Sequence, residues 1–70
     1  MITLYQFLGL IPVILPQYIE VTEVESENII MRGMHDDILR YSKVHEYYVN
    51  TFLPAADGSL IIIVGKKVEK

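Results

Sequence analysis

Six side chains in the middle of the chain carry its best chemistry: Arg32, His35, Arg40, Tyr41, Lys43 and Tyr47, with Tyr48 beside them. Guanidinium and ammonium groups meet phosphates, and tyrosine rings stack on a base. Three of the six Lys and Arg residues fall between positions 32 and 43. Taken singly, each residue also reads as an ordinary strand tyrosine or a charge on a solvated rim. Taken together, they form a candidate site for a small ligand that bears phosphate.

Other constellations are weaker. His35-Asp36-Asp37 has metal-ligand types, but neighbouring residues point in different directions, and a helix start explains both aspartates without a metal. His45 has no nucleophile near it, and a triad with Ser42 or Ser59 lacks any supporting elbow motif. Glu23, Glu25 and Glu27 surround a polar turn and keep it solvated. Gly9, Gly33, Gly58 and Gly65 lie too far apart for a phosphate-cradling loop. No catalytic residue, metal site or cofactor is expected, and the chain reads as a non-enzyme.

The elements that must position the central cluster follow from pattern. Thr3 is a good N-cap, and Gln6 three residues on completes a capping box. Leu4, Phe7, Leu8 and Ile11 form one apolar stripe, Ile2 and Phe7 can staple the helix start, and Pro12 ends the helix. Tyr18–Val24 alternates as a half-buried strand, and Ile29–Met34 returns as its hairpin partner, with Gly33 marking a bulge or a close backbone approach. Asp36 can cap a short helix that reaches towards Arg40. Val44–Leu53 is a third strand, Asp57-Gly58 a turn, and Leu60–Val64 the core of a fourth.

The expected fold is therefore α+β in a single domain. A short N-terminal helix packs on a four-stranded antiparallel sheet made of two hairpins, with a short helix between them. Ile19, Val21, Tyr47 and Val49 are expected beneath the helix. Tyr48, Phe52 and one side of the Leu60-Ile61-Ile62-Ile63-Val64 run fall on the other face. Five consecutive apolar residues ask for cover on both sides, and a chain of 70 residues with no cysteine has little to cover them with. A second copy is the neatest cover. Tyr48, Phe52, Leu60, Ile61, Ile62 and Ile63 are accordingly the expected interface of a homo-oligomer.

Charge and hydropathy narrow the partners. A net charge of −3 with only six basic residues argues against a nucleic-acid polymer. Residues 1–16 are apolar but short of the ~20 residues a span needs, and Pro12 and Pro16 interrupt them. No membrane association is expected, and the absence of cysteine suits a cytoplasmic protein.

The layout resembles short proteins encoded by bacteriophages and prophages that inhibit host defences. The residues that carry the likeness are Thr3-Leu4-Tyr5-Gln6-Phe7-Leu8, then Pro16 and Tyr18–Val24. Asp37-Ile38-Leu39 and Asp57-Gly58-Ser59-Leu60-Ile61-Ile62 add to it. Val13-Ile14-Leu15 departs from the pattern, since proteins of this look often carry acidic residues there. The resemblance implies action in the host bacterial cell without catalysis. One mode sequesters a cyclic-nucleotide immune signal in a homo-oligomeric sponge, for which the Arg/Lys/Tyr cluster supplies contacts. The alternatives are a clamp on a host defence protein, as anti-CRISPR proteins are, or a plain structural or regulatory oligomer.

Overall fold

Local chemistry starts the chain as its sequence suggests. In the computed structural model, which describes residues 1–11 and 17–67 apart from the Lys66 side chain, helix α1 spans Leu4–Gly9. The Gln6 backbone N–H donates to Thr3 Oγ1 at 3.1 Å, and the Thr3 N–H donates to Gln6 Oε1 at 2.9 Å. That reciprocal pair is the capping box, and it satisfies two N–H groups that a helix start leaves free. The expected helix stop at Pro12 and the segment through Pro16 lie outside the described residues.

Two hairpins follow. Strand β1 (Tyr18–Glu23) pairs antiparallel with β2 (Ile29–Met34), and β3 (Tyr47–Pro54) pairs antiparallel with β4 (Leu60–Lys67). The second turn holds Gly58 at φ 92°, a left-handed conformation that glycine adopts without steric cost. Asp57 Oδ1 accepts from the Ser59 N–H at 2.9 Å and from Ser59 Oγ at 2.6 Å, which pins the same turn.

The sheet is mixed, which corrects the antiparallel expectation. Its order is β2-β1-β4-β3, and the central pair β1–β4 runs parallel, with Ile19 level with Leu60 and Val21 level with Ile62. Helix α2 (His35–Leu39) and a 3-10 turn at Ser42–His45 carry the chain from the β2 edge to the opposite edge. This crossover brings the most apolar strand, β4, into the middle of the sheet. Asp36 does not cap α2: Met34 holds the cap position without a side-chain bond, and Asp36 and Asp37 sit in the first turn. Val44 to Glu46 precede the third strand instead of opening it.

All helical elements lie on one face, here the inner face. Leu4, Leu8, Ile19, Val21, Ile38, Val44, Ile62 and Val64 are fully buried there. Each such aliphatic side chain contributes about 1.5–3 kcal/mol through burial. Ile19, Val21, Tyr47 and Val49 belong to this layer, as the pattern predicts. The outer face carries Tyr18, Glu20 and Thr22 of β1, Arg32 and Met34 of β2, Ile61 and Ile63 of β4, and Thr51 and Leu53 of β3.

Register shifts in β3 between Tyr47 and Val49 and between Val49 and Thr51 change its facing. Phe52 pairs with Ile62 and so shares the inner face, where its ring meets Phe7 with centroids 5.0 Å apart. The simple alternation that put Phe52 with Tyr48 fails because a bulge inserts a residue and reverses the parity beyond it.

Candidate functional site

The central cluster divides into three parts. Arg32 projects from β2, while Tyr41 and Lys43 come from the connection between α2 and β3. Together with Ile29, Ile30 and Met31 they line a groove of about 430 Å³. Four consecutive residues of an edge strand line it, so the groove runs along the free side of β2. Its volume lies within the ~300–1,000 Å³ of small-molecule pockets. Tyr41 is 49% exposed, which leaves its ring available for stacking.

Arg40 forms the second part. It is the C-cap of α2, with its backbone N–H donating to the Asp37 carbonyl at 3.2 Å, and its exposed side chain does not line the groove.

His35 and Tyr47 form the third part, and both are turned away from any ligand. His35 is 5% exposed, and its Nε2–H donates to the Leu8 carbonyl at 2.8 Å. Its Nδ1 has no hydrogen-bond partner among the described residues, the Asp36 carboxylate being 3.6 Å away. Tyr47 is also 5% exposed and belongs to the core, with the Lys67 ammonium 5.7 Å from its ring centroid. Both were expected to contact ligand. Both are instead buried, away from the groove that Arg32, Tyr41 and Lys43 line.

The expected oligomer surface is divided too. Ile62 is fully buried and Leu60 packs on the core, so neither offers an outer surface. Ile61 and Ile63 do face outward, one residue out of phase with Ile62. Tyr48 is half-buried, bridges Thr3 and lines a second hollow with Met1, Val24 and Asn50.

The other constellations lie outside the groove, among the described residues. His45, in the 3-10 turn, stacks on Tyr5 with centroids 4.5 Å apart and meets no nucleophile. His35, Asp36 and Asp37 do not converge, and no three His, Asp or Glu side chains form a metal-binding group. No described helix is long and apolar enough to cross a membrane. Hydrophobic pattern could not reveal the groove, because Arg32 and Lys43 meet only through the crossover that folds the connection against β2. No protein-family model, curated protein or solved structure matches the chain.

Proposed function

We propose that the protein is a non-enzymatic binding module that holds a phosphate-bearing nucleotide unchanged in the groove beside β2. In the phage setting that the layout resembles, this makes it a homo-oligomeric sponge for a cyclic-nucleotide signal. The observation that carries the reading is the convergence of Arg32, Lys43 and Tyr41 on one groove with an apolar floor. Arg32 and Lys43 meet phosphate oxygens, and Tyr41 stacks on the base. Glu20 stands directly across from Arg32 on β1.

A thermal-shift screen against cyclic mono-, di- and trinucleotides tests the reading. A ligand at about a hundred times its dissociation constant adds ~2.7 kcal/mol, visible as a raised melting temperature. Arg32→Ala or Lys43→Ala is expected to weaken binding by about tenfold to a hundredfold, whereas Arg40→Ala has little effect. Recovery of intact ligand separates a sponge from a hydrolase. A flat screen across all three classes removes the nucleotide reading.

The second reading, a clamp on a host defence protein, draws on a different surface. Tyr5 and Phe52 expose 48% and 54% of their surface beside α1, and aromatic anchors of this kind dominate protein interfaces.

A further inference from the structure

The outer face of the sheet has a knob at one end and a hollow at the other. Tyr18, 41% exposed, projects near the start of β1. At the far end Gly65 lies between Val24 and Asn50, and a hollow of about 710 Å³ opens there, bounded also by Tyr48, Glu25 and Lys67. Because Ile19 is level with Leu60, Tyr18 is level with Ser59 and far along the strand from Gly65. At 3.3 Å per residue that separation is roughly 20 Å.

Between these ends the face is mixed but electrically neutral. Ile61, Ile63, Leu53 and Met34 share it with Thr22, Thr51, one acid, Glu20, and one base, Arg32, in a chain whose net charge is −3. No described element packs over it. Two sheets of the same twist pack face to face about 10 Å apart. A two-fold axis lying between them and across the strands turns the second copy end for end, so the knob of each protomer meets the hollow of the other.

We propose that a second copy of this chain occupies the outer face in this antiparallel arrangement, with Tyr18 of each protomer seated over Gly65 of its partner. Four strands spaced ~4.8 Å apart offer a flat footprint of about 400 Å² per protomer before side-chain relief, about half of what each partner buries in a standard specific pair. Shape therefore has to supply much of the affinity, and the reciprocal knob and hollow supply it. Gly65 has the absent side chain that this fit requires. A Cβ there would meet Val24 Cγ1 at 3.5 Å and Asn50 Cβ at 3.7 Å, ordinary contacts, so the fold itself does not demand glycine at this position.

The proposal does not rest on the nucleotide reading, and a dimer that binds no nucleotide leaves it intact. Sedimentation equilibrium of the whole chain is expected to show twice the 8.1 kDa protomer mass. Tyr18→Ala and Gly65→Leu are each expected to raise the dimer dissociation constant by about tenfold or more, with circular dichroism unchanged. The chain has no cysteine, so a double variant, Tyr18→Cys with Gly65→Cys, provides a second measurement without background. Across sheets ~10 Å apart the two thiols are too far for a disulfide but within reach of a short bismaleimide, whereas within one protomer, at roughly 20 Å, they are out of reach of it. Treatment with the bismaleimide is expected to yield covalent dimers. A monomer at about 100 μM, or a dimer indifferent to both substitutions and giving no cross-link, overturns the proposal; the latter would place the contact elsewhere, such as the β2 edge.

Discussion

The His35 imidazole donates its Nε2–H to the Leu8 carbonyl at 2.8 Å, tying the end of α1 to the first residue of α2. The bond spans 27 positions and is buried, so it joins two helices too short to be stable alone. Since a carbonyl only accepts, the bond requires a proton on Nε2. His35→Ala leaves the carbonyl without its donor and opens a cavity between the helices. The expected loss is about 1–3 kcal/mol, read from urea denaturation midpoints. His45→Ala, at an exposed stacked ring, is expected to change stability by less than ~0.5 kcal/mol.

Ile61 and Ile62 are adjacent in β4 yet face opposite layers, and their substitutions are expected to differ in kind. Ile62→Ala removes buried volume beneath the helices and costs about 2–5 kcal/mol, and Ile62→Glu should prevent folding. Ile61→Glu keeps native circular dichroism and loses self-association. If Ile61→Glu unfolds the chain while Ile62→Glu leaves it folded, the assignment of the two faces is wrong.

In α1, Leu4 and Leu8 are fully buried, while Phe7 is half-buried against Phe52. The centre of the helix's apolar stripe is therefore Leu4 and Leu8. Leu8→Ala is expected to cost about 2–5 kcal/mol and Phe7→Ala less, because its ring retains solvent contact. Thr3→Ala removes the side-chain half of the capping box and costs ~1 kcal/mol. Thermal melts of the three variants should rank Leu8→Ala worst and Thr3→Ala mildest.

The Asp57 carboxylate is held below its ordinary value of 3.8 mainly by the Ser59 hydroxyl, with the Ser59 N–H adding to it. A depressed acid contributes stability above its unfolded value, and that stability disappears as pH falls through the folded value. Asp57→Asn should therefore lower the melting temperature at neutral pH. Below pH 3.8 the gap between variant and parent should narrow. A gap that widens on acidification would show that Asp57 does not stabilise the turn as a carboxylate.

Short-range chemistry made much of the fold legible. The Thr3/Gln6 capping box, the two hairpins and the Asp57-Gly58 turn each depend on residues a few positions apart, and all appear where the pattern puts them. The α+β class follows from the same local signals. Strand order does not, because the parallel contact between β1 and β4 joins residues some forty positions apart, such as Ile19 and Leu60. Only the crossover through α2 and the 3-10 turn decides it. The β3 bulges turn Phe52 inward against the parity of its neighbours, since a single inserted residue is invisible to alternation. The candidate site divides along the same line. Residue types alone nominated Arg32, His35, Arg40, Tyr41, Lys43 and Tyr47. Tertiary packing kept Arg32, Tyr41 and Lys43 on one groove and buried His35 and Tyr47 in the core, because whether a polar ring faces ligand or helix depends on what folds over it.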